Sequence, residues 1–275
     1  MKPARFDYLR AETMEETLAA LRAHGGEARV LAGGQSLIAM LNMRLARPSL
    51  VVDIMRIDAL GRIATSDREL VVGAGVRQGA LLARKRLVDE VPLLAACLPF
   101  VGHYQTRARG TVCGSVAHAD PSAEIPLCLA ALGAGIRLRS ARGQRIVPAE
   151  AFFLGTMVTE RADDELIEAV ALPRRRPNTG YAFAEVARRH GDFAIVACAA
   201  IAGPEQRRLA VGGVADRPVT RDFGHLDGTA LDDALNDFAW SLDARDDIHA
   251  TARYRRDLVR KLGRRVLEEA ETCRN

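Results

Sequence analysis

Residues 32–54 read AGGQSLIAMLNMRLARPSLVVDI and place two adjacent glycines between two apolar segments. The preceding residues 28–32, ARVLA, predict a short strand that ends at Gly33-Gly34, and Leu37–Leu45 predicts a helix. The backbone N–H groups of such a loop have no bulky neighbours, so consecutive amides can converge on an anion such as a phosphate. A glycine pair alone is a weak signal, because most glycine turns only redirect the chain.

A second glycine-bearing stretch, TVCGS at 111–115, has the same character, with a hydroxyl at each end. It lies within RGTVCGSVAHADPSAE (109–124), which we predict to be a loop because glycines and an Asp-Pro pair interrupt it. Two amide-rich loops can together hold the two phosphates of a dinucleotide. Downstream, Asp120 and Glu124 offer carboxylates that can accept hydrogen bonds from a sugar-like chain.

The composition is typical of a globular protein, and 275 residues suffice for two or three subdomains with cores of their own. Lys and Arg exceed Asp and Glu by 39 to 35, with local clusters at 174–176 and 253–265. The second cluster is interpreted as the solvated face of a terminal helix, so we expect no nucleic-acid partner. The five cysteines form no C-x-x-C pair, which favours reduced thiols in a cytoplasmic protein without its own iron–sulfur cluster. No apolar stretch reaches transmembrane length, so direct membrane insertion is not expected.

The chain is predicted to consist of three parts with an α+β fold. Residues 1–55 form a first subdomain, and residues 56–173 form a second one, in which short strands and helices alternate. PRRRP at 173–177 is the linker to a third part, residues 178–275. The third part is predicted to contain strands at Tyr181–Val186, Ala194–Ile201 and Leu209–Val214, and helices at Leu231–Ala239 and Arg253–Glu271.

Other motifs that would indicate a catalytic or metal site are incomplete. The glycines at 73, 75 and 79 do not form a Rossmann fingerprint, because Gln78 stands where the third glycine belongs. His118 and Asp120 are only two possible metal ligands, and neither Ser36 nor Ser115 lies in G-x-S-x-G. We therefore expect no metal ion and no catalytic residue in this chain.

Several collinear stretches carry a resemblance to a known family: residues 32–54 and 109–134, FFLGTMVTERADDELIEAVALP (152–173), AFAEVARRHGDFAIVACAA (182–200) and YRRDLVRKLGRRVLEEA (254–270). They resemble the FAD-binding medium subunits of molybdenum hydroxylases, the family of the carbon monoxide dehydrogenase medium subunit and of the xanthine dehydrogenase flavin domain. The resemblance covers nearly the whole chain. It implies a two-subdomain FAD-binding fold of the PCMH or vanillyl-alcohol-oxidase type, followed by a smaller α+β C-terminal domain.

The resemblance also implies an FAD in the cleft between the first two subdomains. The pyrophosphate would contact the two glycine loops, the ribityl chain would contact the two carboxylates, and the C-terminal domain would approach the isoalloxazine ring. The residues that the resemblance assigns to the cofactor are Ala32, Gly33, Gly34, Gln35, Ser36, Leu37, Thr111, Cys113, Gly114, Ser115, Asp120, Glu124, Ile167, Asp192 and Phe193.

Cys113 departs from the family pattern, which has two glycines where this chain has Cys113-Gly114. If the position requires a positive φ, a cysteine there costs about 1 kcal/mol or more. If the family glycine serves only the close approach of the ligand, a thiol fits beside the flavin.

By this resemblance the chain is an electron-transfer subunit. A large subunit with molybdopterin oxidises the substrate, a small subunit with [2Fe–2S] clusters passes single electrons to this FAD, and an external acceptor removes them. The expected assembly is a dimer of such heterotrimers. Two alternatives stay open: a stand-alone FAD oxidase of the same flavin-domain superfamily, and a cofactor-free assembly subunit.

Overall fold

Three β-sheets and a small hairpin follow one another along the chain in the computed structural model, which describes residues 1–274. The strands are β1 (Asp7–Arg10), β2 (Ala28–Leu31), β3 (Leu50–Asp53), β4 (Ile63–Thr65), β5 (Glu69–Gly73), β6 (Gly135–Ser140), β7 (Gly143–Pro148), β8 (Phe153–Gly155), β9 (Val158–Thr159), β10 (Leu166–Pro173), β11 (Gly180–Val186), β12 (Val196–Ala202), β13 (Arg207–Gly212) and β14 (Val219–Asp222). The helices are α1 (Met14–His24), α2 (Leu37–Asn42), α3 (Gln78–Leu82), α4 (Leu87–Glu90), α5 (Pro92–Cys97), α6 (Tyr104–Arg109), α7 (Val112–His118), α8 (Glu124–Leu132), α9 (Ala149–Phe152), α10 (Gly228–Ser241) and α11 (Ala252–Thr272). The predicted α+β class is confirmed.

The first sheet is parallel and has β3 between β1 and β2. Helix α1 connects β1 to β2, and it begins with a capping box in which Thr13 Oγ1 accepts a hydrogen bond from the Glu16 N–H, 3.2 Å away. Its Leu18 and Leu21 are buried in the core. Because β2 and β3 run in parallel, their carboxyl ends meet at one edge of the sheet, and the glycine loop leaves β2 at that edge.

The second sheet is antiparallel, with the order β4-β5-β10-β6-β7. Its middle strand, β10, is buried over most of its length, which explains why its sequence LIEAVALP does not alternate between apolar and polar residues. The predicted hairpin of 135–140 with 144–147 is confirmed as β6 and β7. Helices α5, α7 and α8 pack beside this sheet and continue its core.

The prediction of a loop over 109–124 is wrong, because Val112–His118 forms helix α7 and Glu124 already begins α8. Thr111 is the N-cap of α7, and its Oγ1 accepts a hydrogen bond from the Gly114 N–H at 3.0 Å. The short helix is therefore stabilised by its cap and by the burial of its apolar face, while Gly114 lowers its intrinsic propensity.

The third sheet, with the order β11-β12-β13-β14, lies between two helical layers. Odd-numbered residues of β11, such as Tyr181 and Phe183, lie on the face covered by α5, with α8 on the neighbouring strands β12 and β13, while Ala182 and Ala184 lie on the face covered by α11. This alternation follows from the two-residue period of a strand. The three predicted strands and two helices are confirmed; β14, short and only half-buried, was not predicted.

Within residues 1–274, no helix is both long and apolar enough to cross a membrane.

Candidate functional site

A cleft of about 630 Å³ lies between the three parts of the chain that contain the three sheets. Its walls contain every residue that the family resemblance assigned to a cofactor. The five segments that supply them come from β2 and its following loop, from α7, from the start of α8, from β10 and from the loop after β11. Those residues are Ala32, Gly33, Gly34, Gln35, Ser36, Leu37, Thr111, Cys113, Gly114, Ser115, Asp120, Glu124, Ile167, Asp192 and Phe193.

The glycine loop after β2 touches the junction between α6 and α7 through its backbone. A Cβ placed on Gly33 would lie 2.3 Å from the carbonyl oxygen of Arg109 and 2.6 Å from the Cα of Gly110. Gly34 has a φ of +72°, a conformation that favours glycine. The two glycines are therefore required for different reasons. Gly33 permits the close approach of the two backbones, and Gly34 permits the turn.

Gln78, for which the sequence predicts no structural role, holds the junction between α6 and α7 in place. Gln78, only 4% exposed, donates its backbone N–H to the Gly110 carbonyl at 2.8 Å and its Nε2 to the Thr111 carbonyl at 3.3 Å. Its Oε1 is buried without a hydrogen-bond partner in the described structure and borders the cleft. No sequence pattern indicates this role, since Gln78 is notable in the sequence only for interrupting a Rossmann fingerprint.

Cys113 matches neither of the two expected situations, a backbone that requires a positive φ or a thiol that lies beside the flavin. It lies inside α7 with right-handed helical geometry, so no positive φ is required of it. Its side chain is 3% exposed, its Sγ approaches the Val72 carbonyl oxygen at 3.7 Å, and burial raises the pKa of the thiol to about 12. The cysteine therefore replaces glycine on the core side of the helix, as a small apolar residue.

Gly114, by contrast, is constrained. A Cβ at this position would lie 2.8 Å from Thr111 Oγ1, the oxygen that caps the helix. A larger residue would displace the capping hydroxyl of Thr111 and block access to the N-terminal turn of α7. The chain can lose the first glycine of the family pair but has no room to lose the second.

The two predicted carboxylates lie beyond α7. Asp120 Oδ1 accepts a hydrogen bond from the Ser122 N–H at 2.8 Å, which fixes the turn before α8. Glu124, the first residue of α8, is only 4% exposed, and burial raises the pKa of its carboxyl to about 7. Neither carboxylate is paired with a nucleophile, and residues 1–274 contain no cluster of three or more potential metal ligands.

The C-terminal domain forms one end of the cleft through the loop after β11. Gly191 has a φ of +87°, and a Cβ there would lie 2.6 Å from the His103 ring, so this loop is in close contact with the second unit. Asp192 Oδ2 accepts a hydrogen bond from Arg189 Nε at 3.2 Å, while Phe193 stands 61% exposed on the rim.

Two arginines that the sequence analysis did not single out, Arg29 and Arg161, line the cleft together with Ile167. Arg161 Nη1 donates to the carbonyl oxygens of Ala162 and Glu165, both at 2.7 Å, and burial lowers the pKa of its guanidinium. Ile167 is 4% exposed and presents an apolar wall.

A second cavity, of about 1020 Å³, adjoins the cleft and shares Gly191, Asp192 and Phe193 with it. Residues 213–216 form part of its wall, and Arg188 and Arg245 also line it. The loop after β11 is thus a thin partition between the two spaces.

The residues present fit a dinucleotide. The backbone of Gly33 meets the backbone of Arg109 and Gly110 beside the cleft, where a Cβ would obstruct the contact, and the amides that follow Gly34 border the cleft. The unpaired Gln78 Oε1 can accept a hydrogen bond from a ligand. Together with three units around one cleft, this arrangement is that of a dinucleotide-binding protein.

Comparison with known proteins gives the family. Residues 4–175 match the family described as the FAD binding domain in molybdopterin dehydrogenase, and residues 181–270 match the CO dehydrogenase flavoprotein C-terminal domain. The chain therefore belongs to the FAD-binding flavoproteins of molybdopterin dehydrogenases, and it is an oxidoreductase flavin subunit with FAD as its cofactor.

Relatives support this assignment over the full chain. The chain is 35% identical to the 6-hydroxypseudooxynicotine dehydrogenase complex subunit alpha of Paenarthrobacter nicotinovorans, over 98% of this chain and 96% of the relative. It is 31% identical to the carbon monoxide dehydrogenase medium chain of Hydrogenophaga pseudoflava, over 98% of each. A solved structure of carbon monoxide dehydrogenase from Hydrogenophaga pseudoflava superimposes with a TM-score of 0.94 at 29% identity, covering 100% of both chains. Quinoline 2-oxidoreductase from Pseudomonas putida 86 gives 0.90 at 33% identity, covering 99% of both.

The close approach at Gly33 predicts a specific sensitivity. Gly33→Ala should separate the two loops, lower the free energy of unfolding by about 1–3 kcal/mol and weaken FAD binding by roughly tenfold or more. Gly61→Ala is the control, because a Cβ at Gly61 meets nothing within 4 Å. The measurements are urea unfolding and titration of the FAD-free protein with FAD. Equal FAD affinity in both variants would contradict the contact.

The position of Cys113 predicts that restoring the family glycine does harm. Cys113→Gly should destabilise the protein by about 1–2 kcal/mol, because it adds a helix glycine and removes a buried side chain, and FAD affinity should not improve. Cys113→Ala, which keeps the helix propensity, should lose less stability. Tighter FAD binding by Cys113→Gly in the same titration would show that the thiol obstructs the cofactor.

Proposed function

We propose that this chain is the FAD-binding electron-transfer subunit of a molybdopterin-dependent hydroxylase or dehydrogenase complex. It takes electrons from [2Fe–2S] clusters of a small partner subunit and passes them to an external acceptor, while a large subunit with molybdopterin transforms the substrate. The observation that carries this proposal is the single cleft in which all fifteen assigned residues meet, without a nucleophile or base arranged for substrate chemistry.

In this proposal the FAD lies along the cleft with its pyrophosphate at the two glycine loops. The amides beside Gly34 and the hydroxyl of Ser115 would face the phosphates, while the Gly114 N–H is held by the Thr111 cap and Gln78 supports the start of α7. Asp120 and Glu124 face the ribityl chain. Bound FAD can accept electrons singly and deliver them in pairs, which suits it to connect one-electron clusters with a two-electron acceptor.

The two ends of the cleft are assigned by their chemistry. Arg29 and Arg161 with the apolar wall of Ile167 suit the adenosine half, since guanidinium planes and apolar side chains both pack on a purine. The exposed Phe193 and the adjacent Asp192 then lie near the isoalloxazine ring. At that end the ring is closest to the second cavity.

The second cavity is the proposed route of the external acceptor, because residues 191–193 line both this cavity and the ring end of the cleft. The three chains form a heterotrimer that pairs into a dimer of heterotrimers. Four of the five cysteines, all free thiols, are buried, which is compatible with the cytoplasmic location we propose.

Reconstitution tests the subunit role. Co-expressed with large and small partner subunits of the same class, the chain should co-purify with them and give a flavin absorption spectrum that bleaches when the small subunit's clusters are reduced. The chain carrying Gly33→Ala should assemble but retain less FAD, and its flavin spectrum should be weaker in proportion. A chain that binds FAD and reduces dioxygen with its own organic substrate, in the absence of partners, would instead be the stand-alone oxidase. A chain that assembles but takes up no FAD would be an assembly subunit.

Filling the second cavity tests the acceptor route. Ala215→Trp should slow the oxidation of the reduced complex by dichlorophenolindophenol, because the indole occupies the cavity, while the reduction of FAD by the partner clusters stays unchanged. Stopped-flow spectroscopy separates these two half-reactions. Ala141→Trp, on an exposed turn of the β6–β7 hairpin, is the control. An unchanged oxidation rate in Ala215→Trp would place the acceptor elsewhere.

A further inference from the structure

One guanidinium group connects three segments that line the second cavity. Arg255, near the start of α11, is only 5% exposed and borders that cavity. Its Nη1 donates to the carbonyl oxygens of Ile195 and Gly213, both at 2.6 Å. Its Nη2 donates to Asp247 Oδ2 at 2.5 Å. Ile195 is the last residue before β12, Gly213 follows β13, and Asp247 lies between α10 and α11, so the three acceptors come from three separate walls of one cavity.

The backbone at Gly213 shows how closely two of these walls approach each other. Gly213 has a φ of +79°, and a Cβ there would lie 2.8 Å from the Ile195 carbonyl oxygen and 2.9 Å from that of Ala194. The Gly213 N–H donates to the Pro121 carbonyl at 2.8 Å. Pro121 directly follows Asp120, which lines the cleft. The segments that Arg255 connects are therefore joined in turn to the cleft in which we place the FAD.

The location of Arg255 makes its three hydrogen bonds strong determinants of the local geometry. The dipole of a helix opposes a cation near its N-terminus, and burial adds a desolvation cost. Two carbonyl oxygens and one carboxylate offset both costs, because hydrogen bonds from a charged donor are stronger than those between neutral groups. A guanidinium presents its N–H groups in a rigid planar fork, so it holds its acceptors at fixed angles, as the ammonium group of a lysine does not.

We propose that Arg255 is a positioning residue for the reaction with the electron acceptor. By holding the segments at 194–195, 213–216 and 245–249, it sets the shape of the second cavity, through which the acceptor approaches the ring end of the cleft. Arg255 does not line the cleft itself and acts through the loop that carries Asp192 and Phe193. This inference rests on the proposed function, because it takes the second cavity as the route of the acceptor.

The connection itself can be tested without FAD. Arg255→Met keeps an apolar stem and removes the donors, so the three segments lose their common partner. Hydrogen–deuterium exchange of the FAD-free chain should become faster by roughly tenfold or more at the amide of Gly213 and at those of His249 and Ala250, which donate to Asp247 Oδ1. All three segments should respond together, since one side chain holds them.

Arg207→Met is the matched control for the loss of a buried arginine. Arg207 belongs to the same domain, is 1% exposed, and binds the Leu226 carbonyl, Asp227 and Glu271. None of these four residues borders the second cavity. The control should speed amide exchange around Leu226 and leave exchange in the three segments as it is in the unmodified chain.

The second test measures the reaction with the acceptor in the assembled complex, with dichlorophenolindophenol as the probe and rates expressed per bound FAD. In Arg255→Met the slope of the flavin oxidation rate against dye concentration should fall by roughly tenfold, while the rate of FAD reduction by the partner clusters stays unchanged. Arg255→Lys keeps the charge without the fork, so its slope should lie between those of Arg255→Met and the unmodified complex. Arg207→Met should keep the unmodified slope.

The outcomes separate the inference from the function on which it rests. A complex whose FAD is not reduced by the partner clusters overturns the proposed function, while the exchange profiles still decide whether Arg255 holds the three segments. Equal exchange in Arg255→Met and in the unmodified chain overturns the connection. Faster exchange combined with an unchanged oxidation slope overturns the role in the approach of the acceptor. If Arg255→Met does not fold, the same comparisons are decided with Arg255→Lys.

Discussion

The cleft depends on one contact, the approach of the Gly33 backbone to the carbonyl of Arg109 and to Gly110. This contact joins the edge of a parallel sheet to the start of α7, two elements of separate units, at a distance that no side chain allows. Everything that forms the cradle depends on it: the turn at Gly34, the cap of α7 by Thr111 and the position of Gly114. Because the contact is made by backbone atoms, it sets the relative position of the two loops more rigidly than a contact between side chains would.

The C-terminal domain completes the cleft, although it supplies few of its residues. Helices α5 and α8 of the second unit pack on one face of its sheet, and α11 covers the other, where a Cβ on Gly180 would lie only 1.8 Å from the Ala270 carbonyl. This sandwich fixes β11, and β11 leads directly into the 191–193 loop at the rim of the cleft. The loop is therefore held from both of its ends, and its contact with His103 fits it to the second unit.

The sequence predicted the strands and helices that have strong periodicity, and the two glycine loops indicated which segments meet. It did not predict α7, because the cap that stabilises it is a single hydroxyl and its glycine suggests a loop. It did not predict β1 or β14, whose short and partly exposed strands owe their pairing to neighbours distant in the sequence. Gln78 could not be predicted at all, because its role arises from two hydrogen bonds to a segment thirty-three residues away. For the same reason the sequence could not decide between the two possibilities for Cys113: whether a position needs a positive φ depends on whether the segment is a turn or a helix.

The distribution of polar groups along the cleft is consistent with a subunit that positions a cofactor and performs no substrate chemistry. Its arginine side chains hold backbone carbonyls, as Arg161 does, and its carboxylates cap turns or lie buried, as Asp120 and Glu124 do. Arg161 and Asp120 are fixed by hydrogen bonds to the backbone, and Glu124 is largely shielded from solvent. A buried carboxyl such as that of Glu124 changes the energy of charge in the cleft while leaving its shape intact. The positions that constrain the shape of the cleft, Gly33 and Gly34, are therefore separate from the buried carboxyl of Glu124, which bears on the energy of charge inside it.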